Sequence, residues 1–258
     1  GVGDSHDGYF EYFVDRMGAG VSLPNIDQLI PGLAASAFHG LIRLAYGLEV
    51  SSQTETATGL AIIADRYLAP MPLTGDLTEA GPGVFLSKVK SIFEEHLAGR
   101  FPVSNSQLNI SGRIMFLARQ SAPREQIADL LAQGVPSLDE IAEASLFIFS
   151  NSNNFTALHA VTATHAACVV ANHLKDTRPL RYALATGILF AGLTIPHDEF
   201  SSPSAADAPV PAADALETIQ RIKDSAITSS EEHKLKISWT CIEQYRRYND
   251  ARYLDAAL

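Results

Sequence analysis

Apolar residues recur along most of the chain at the three- to four-residue spacing that is typical of α-helices with a buried face, and β-branched alternation is scarce. Clusters of Gly and Pro separate these apolar segments and mark the places where helices end. The pattern predicts eleven helices, over residues 8–17, 35–50, 52–67, 84–97, 106–118, 124–133, 138–150, 155–174, 180–191, 212–223 and 230–247.

Local signals at the starts of two helices support this prediction. Ser137 stands just before a predicted helix and Glu140 follows it by three residues, which is the pattern of a capping box. Asn154 or Thr156 can cap the next helix, because such side chains accept hydrogen bonds from backbone N–H groups at a helix start. We therefore expect helix boundaries near these residues.

Two segments rich in Pro predict loops, over residues 69–83 and 196–211, and the second is a candidate for a lid or linker. The helices on both sides of each loop are hydrophobic enough to share one core. We therefore predict an all-α fold, with residues 1–258 forming a single multi-helix domain packed around a buried polar or metal site.

Composition and charge narrow the class of protein. Of the 258 residues, 47% are hydrophobic and 19% charged, which predicts a folded domain, and the net charge of −10 argues against nucleic acid as the main partner. The most apolar stretch, residues 182–195, is too short for a membrane span and predicts a core helix. Cys168 and Cys241 lie in apolar segments and are expected to be free thiols. With no signal peptide in the sequence, we expect a cytoplasmic protein.

The first candidate for metal chemistry is His39, in an apolar segment over residues 37–49 that predicts a buried helix. Arg43 follows one turn later on the same face, and a buried Arg needs an acidic partner, for which Glu49 and Asp65 are candidates. The alternative is that His39 is a core residue whose ring binds a backbone carbonyl.

The second and third candidates, His159 and His165, lie on one predicted helix. Six residues turn through about 600°, so the two rings point roughly 120° apart and reach one metal only if the site lies off the helix side or the helix is distorted. Thr162 and Thr164 are candidates to form hydrogen bonds with the imidazoles and so orient them. The alternative is that one histidine is a ligand or core residue and the other is not.

The fourth candidate is His233, with Lys236 about 60° away on the same helical face. Lys236 lies between Leu235 and Ile237, so its side chain could point inward, act as a nucleophile and take up carbon dioxide as an anionic carbamate. The alternative is an exposed face from which the lysine extends its charged head into water.

The remaining four histidines are weaker candidates. His6, His96 and His197 stand among polar residues and are expected at the surface, and His173 lies near a helix end. The sequence contains no phosphate-binding loop, dinucleotide fingerprint, nucleophile elbow or CxxC pair. A cofactor would therefore have to be bound without those motifs.

Three of the segments described above, AFHGLIRLAYGLE, NFTALHAVTATH and EEHKLKISWTCIEQY, resemble signature stretches of the questin oxidase-like family. The resemblance implies a helical fold and a non-heme iron oxygenase, as in the fungal members that oxidatively open anthraquinone rings. It implies that Lys236 is the carboxylated lysine and that His39, His165 and Lys236 are catalytic. The implied metal ligands are His39, His159, His165, His233 and Lys236.

The chain departs from the family pattern at two places. The family's N-terminal asparagine–histidine motif has no counterpart here, so the chain is either a shortened member or lacks a ligand that lies outside it. Position 43 is Arg, where the fungal members tend to carry His.

The resemblance implies an iron-dependent oxygenase that acts with molecular oxygen on an aromatic polyketide or quinone-type small molecule. It leaves open whether a reductant such as NADPH is needed and which oligomer forms. The alternatives are a catalytically silent small-molecule-binding or helper protein and a hydrolytic metalloenzyme. Five phenylalanines are candidates to stack a flat substrate, or are ordinary core residues: Phe38, Phe147, Phe149, Phe155 and Phe190.

Overall fold

A computed structural model describes residues 4–20, 22–73, 77–102, 107–152, 154–200 and 214–258. Within these ranges the chain forms thirteen α-helices and no β-strand, so the predicted all-α, single-domain fold class is confirmed. The helices are α1 (Asp4–Gly18), α2 (Ile26–Leu29), α3 (His39–Glu49), α4 (Gln53–Asp65), α5 (Val84–Leu97), α6 (Ile110–Ala118), α7 (Ser121–Leu131), α8 (Leu138–Ser152), α9 (Phe155–Ala171), α10 (Arg178–Leu193), α11 (Ala215–Thr228), α12 (Glu232–Tyr248) and α13 (Arg252–Asp255).

Helix α9 lies at the centre of the fold and packs against α3, α8, α10 and α12. Its sequence is rich in Ala, Val and Thr, and most of its side chains are buried, because a helix that is apolar around its whole circumference gains by having neighbours on every side. Helix α10 is buried in the same way, which confirms the core helix predicted from the apolar stretch at residues 182–195. None of the helices in the described ranges is long and apolar enough to cross a bilayer.

Glycines bring α3 and α4 into close contact. A Cβ added at Gly47 would lie 2.4 Å from the backbone nitrogen of Thr56, and one at Gly59 would lie 2.4 Å from that of Leu44. Such distances are far below a van der Waals contact, so only glycine permits this approach. The close packing fixes the position of α3, whose first residue is His39.

The start of α3 differs from the prediction. The sequence pattern placed a helix from residue 35, but the α-helix begins at His39, after a short 3-10 segment over Ala35–Phe38. Ser36, Ala37 and Phe38 have φ values of 48°, 55° and 66°, which break the helix. Apolar spacing does not report this left-handed backbone, which L-residues seldom adopt.

The predicted capping residues have the expected roles. The Ser137 backbone N–H donates to Glu140 Oε2 at 3.0 Å and the Glu140 N–H donates to Ser137 Oγ at 3.2 Å, so the capping box is confirmed. Of the two candidates for the start of α9, Asn154 is the cap, since its Oδ1 accepts from the Thr156 N–H at 2.7 Å. Cys168 and Cys241 are buried free thiols, as expected.

The two predicted loops lie only partly within the described residues. In the first, residues 69–73 and 77–83 contain no helix, and Glu79 binds Arg181 of α10 at 2.6 Å. Of the second, residues 201–211 lie outside the described residues, as do the predicted helix starts at residues 106 and 212.

Candidate metal centre

Three histidines from three helices come together at one point. His39 begins α3, His159 lies one turn into α9, and His233 lies in the first turn of α12. One ring nitrogen of each lies within 4.8 Å of the others. His159 is only 2% exposed and His233 is partly buried. The three side chains, hereafter the histidine trio, form a compact set of nitrogen donors.

The spacing of two members fits a metal ion. The Nε2 atoms of His39 and His159 lie 2.9 Å apart. Two nitrogen ligands that are each about 2.1 Å from an ion, with a right angle between them, are about 3.0 Å from each other. The pair therefore has the separation of neighbouring positions around an octahedral ion, and imidazole is a donor that suits iron, copper, nickel and zinc.

A backbone contact orients His159. Its Nδ1 lies 2.8 Å from the carbonyl oxygen of Phe155, one turn earlier on α9. Because a carbonyl only accepts, Nδ1 carries the proton and donates it, and the lone pair of Nε2 faces His39. This is the arrangement by which an outer partner selects the tautomer of a metal-binding histidine.

The surroundings keep two of the rings neutral. Burial lowers the pKa of His159 to about 4, against an ordinary value of 6.5. Burial also lowers the pKa of His39, and electrostatic repulsion from the neighbouring Lys236 and His233 lowers it further. Neutral imidazole is the form that binds metal, so these rings are prepared for a ligand role at neutral pH.

Lys236 lies beside the trio but is engaged elsewhere. Its side chain is 21% exposed, and its Nζ forms an ion pair with Glu232 Oε1 at 2.5 Å. The prediction of an inward lysine is therefore only partly met, since the ammonium group reaches a carboxylate on its own helix. Carbamate formation at Nζ would have to replace this ion pair. Carboxylation of Lys236 stays a prediction.

The structure places His165 apart from the trio. Its Nε2 lies 3.2 Å from Glu49 Oε1 at the end of α3, and the residue is 8% exposed. Six residues after His159, its ring leaves α9 in another direction, as helix geometry predicts. Of the two histidines predicted on this helix, one joins the trio and the other pairs with a carboxylate.

The prediction that Glu49 or Asp65 is the acidic partner of Arg43 is wrong. Its Nε lies 2.7 Å from Glu55 Oε2 on α4, not from Glu49 or Asp65, and its side chain is 48% exposed. The expectation assumed that Arg43 was buried. It instead lies on the open edge of α3, where the first turn of α4 offers the nearest carboxylate.

The two threonines of α9 do not support the imidazoles. Thr162 Oγ1 donates to the carbonyl of Leu158 at 3.1 Å, and Thr164 Oγ1 donates to that of Ala160 at 2.9 Å. Buried threonines on a helix satisfy their hydroxyls in this way, one turn back. The prediction that Thr162 and Thr164 form hydrogen bonds with the imidazoles is therefore wrong.

The surface position expected for His96 is also wrong. His96 is 2% exposed, its Nε2 donates to the carbonyl of Ile195 at 2.9 Å, and the partly buried His197 lies 4.4 Å away, centroid to centroid. Its helical spacing from Val89 and Phe93 places it on the buried face of α5. Periodicity could have found this position, although its immediate neighbours in the sequence are polar.

The five phenylalanines have different environments. Phe38 and Phe190 are fully buried core residues, Phe149 is 5% exposed, and Phe147 packs against Phe93. Only the half-exposed Phe155 makes ring contacts with the trio.

Two depressions lie near the trio. A cavity of about 410 Å³ is lined by His233 and Phe155, by the apolar Phe149, Leu158 and Ile237, and by the polar Asn154, Glu231 and Lys234. The second depression is a groove of about 480 Å³ that contains Lys236 but no member of the trio. It is lined by Tyr46, Glu49, Val50, Leu235, Lys236 and Trp239.

No family model matches this chain, and a search of curated proteins found no similar sequence. The resemblance to the questin oxidase-like family therefore rests on the three sequence segments given above. The structural finding that bears on function is the trio itself, drawn from those same segments.

Proposed function

We propose that this protein is a metal-dependent oxygenase that uses iron and acts on an aromatic polyketide or quinone-type small molecule. The observation that carries the proposal is the convergence of His39, His159 and His233, each from one of the three segments that resemble the family. These residues are far apart in the sequence, yet their nitrogen donors lie within 4.8 Å of one another, a spacing that is compatible with one transition-metal ion.

The donor set leaves room for chemistry. His39, His159 and His233 would hold the ion with three imidazoles, a donor set that leaves room for dioxygen and substrate. Bound ferrous iron would supply the binding and activation of dioxygen. A carboxylated Lys236 would add an anionic oxygen ligand, which the resemblance implies.

Residues of this protein orient one of the proposed ligands and form a cavity beside another. The Phe155 carbonyl holds the proton of His159 on Nδ1, so that the Nε2 lone pair remains available. The cavity of about 410 Å³ beside His233 has the size of small-molecule sites. Its apolar lining residues, including Phe149 and Leu158, would pack against an aromatic ring system.

The test begins with metal. Protein purified without chelator and then incubated with Fe²⁺ under nitrogen is expected to retain about one equivalent of iron. Oxygen consumption is then measured with a hydroxylated anthraquinone as the probe substrate. The His233→Ala variant is expected to lose both iron and oxygen uptake, and His6→Ala, a change in α1, to lose neither. Wild-type protein that retains no iron would contradict the proposal.

A metal-free small-molecule-binding or helper protein is the second candidate. One observation favours it, because a separation of 2.9 Å between the Nε2 atoms of His39 and His159 also suits an N–H···N hydrogen bond. The ion pair of Lys236 with Glu232 likewise needs no metal. For such a protein, anthraquinone binding would persist in the His233→Ala variant without any oxygen consumption.

A further inference from the structure

The aromatic ring of Phe155 lies outside the hydrophobic core and against the histidine trio. Phe155 is the first residue of α9, and half of its surface is exposed to solvent. Large apolar side chains at such positions gain little from burial, so this ring contributes less to the core than an ordinary core phenylalanine. Its contacts are with two members of the trio.

The geometry of these contacts is nearly the same on both sides. The centroid of the Phe155 ring lies 4.6 Å from that of His159 and 4.7 Å from that of His233. The interplanar angles are 69° and 68°, so both pairs are edge-to-face. Aromatic pairs prefer this arrangement, because the positive edge of one ring meets the negative face of the other.

The Phe155 ring joins histidines from two different helices. His159 projects from α9 and His233 from α12, and their own centroids are 5.6 Å apart. A single ring that touches both limits the rotation of each about its side-chain bonds. Phe155 and His233 also both line the cavity of about 410 Å³.

Hydrogen bonds also fix the backbone around Phe155. Its carbonyl accepts the Nδ1 proton of His159 at 2.8 Å. The preceding residue, Asn154, caps α9 through the Thr156 N–H and also binds the Glu199 carboxylate. These bonds fix the first turn of α9, so the ring and the carbonyl act from one defined position.

We propose that Phe155 is a positioning residue, which sets the ring orientations of His159 and His233 and so determines the affinity and coordination geometry of the bound metal. The inference rests on the proposed function, since it requires that the trio binds a metal. Partners outside the ligand set commonly change metal affinity ten- to a hundredfold.

The experiment uses Co²⁺ alone as the probe, because its visible absorption reports coordination geometry and it binds nitrogen sites more tightly than Fe²⁺. Wild-type protein, Phe155→Leu and Phe155→Tyr are titrated, with Trp239→Leu as the matched control. Trp239 is a half-exposed aromatic residue on α12 that lines the other depression and has no described ring contact with the trio. Circular dichroism and thermal unfolding without metal show that each variant is folded.

Phe155→Leu keeps an apolar side chain and the backbone carbonyl but removes the ring. It is expected to weaken Co²⁺ binding about tenfold and to shift the visible absorption. Phe155→Tyr and Trp239→Leu are expected to match the wild type in both respects. A Phe155→Leu variant with wild-type affinity and spectrum would overturn the role of Phe155 and leave the metal site standing. Wild-type protein that binds no Co²⁺ would overturn both proposals.

Discussion

The Nε2 atoms of His39 and His159 lie 2.9 Å apart, although 120 residues separate the two histidines in the sequence. Without metal, one of these atoms must carry a proton and donate it to the other. The contact between Nδ1 of His159 and the Phe155 carbonyl assigns that proton to His39. Binding of a metal then requires His39 to move its proton from Nε2 to Nδ1, with no change in the charge of either ring.

Removal of one ligand is expected to abolish tight metal binding. His39→Ala takes away one of three nitrogen donors, so Fe²⁺ affinity should fall by more than about a hundredfold, beyond the ten- to hundredfold effect of outer partners. Competition with a coloured chelator measures the affinity. His173→Ala is the control, because His173 is exposed and follows the end of α9. Equal affinities for the two variants would show that the trio is not the metal site.

The structure and the family resemblance give His165 different roles. The structure pairs it with Glu49, whereas the resemblance implies that it is a metal ligand. His165→Leu is expected to leave Fe²⁺ affinity unchanged, because the ring binds Glu49 and lies outside the trio. The free energy of unfolding is expected to fall by about 1 kcal/mol, since Glu49 loses a hydrogen-bond partner. Denaturant titration measures this loss, with Glu49→Gln for comparison. Loss of metal from a stably folded His165→Leu protein would instead make His165 a ligand.

Acid is expected to destabilise the metal-free protein. The pKa of His159 is about 4 in the folded protein, lowered chiefly by burial from an ordinary value of 6.5. Between those values the unfolded chain binds a proton that the folded protein does not. The stabilisation is therefore complete above pH 6.5 and is lost as the pH falls toward 4, by about 3 kcal/mol at roughly 1.4 kcal/mol per pKa unit.

Urea unfolding at a series of pH values measures this dependence. The His159→Gln variant has no titrating group at this position, so its stability should vary much less between pH 6.5 and pH 4. A variant with the same pH dependence as the wild type would assign the effect to other groups, of which His96, whose pKa burial also lowers, is the first to examine.

The close packing of α3 and α4 predicts a strong effect of one added methyl group. Gly59→Ala places a Cβ 2.4 Å from the backbone nitrogen of Leu44, so the helices must move apart, and we expect a loss of about 2 kcal/mol or more. Gly8→Ala is the matched control, since α1 leaves open space around Gly8 and alanine favours a helix by up to about 1 kcal/mol. Thermal unfolding of both variants checks the difference. Similar melting temperatures would contradict the close approach.

The sequence pattern is sufficient to predict most of the helices. Helices such as α5 and α8 have boundaries close to the predicted ones, because apolar periodicity and capping residues are local signals. The start of α3 differs from the prediction, because Ser36, Ala37 and Phe38 have positive φ values. Propensity and spacing carry no information about such a conformation.

The candidate site was less predictable. Helix geometry indicated that His159 and His165 point apart, but it could not say which of them would meet His39. That choice depends on how α3 and α12 pack against α9. The partners of charged residues are harder still to predict, since Lys236 binds Glu232 on its own helix and Arg43 binds Glu55 on the next one. Long side chains reach several partners, and only the packed structure decides among them.

The wide separation of the trio along the chain has a consequence for the order of events in folding. Helix pairs such as α3 with α4 and α8 with α9 join neighbouring segments and close short loops, whereas the trio is complete only when α3, α9 and α12 have all docked. Distant contacts cost more chain entropy and form later. We therefore expect the trio to be complete only in the folded protein, so that any ion it binds would raise the free energy of unfolding by mass action.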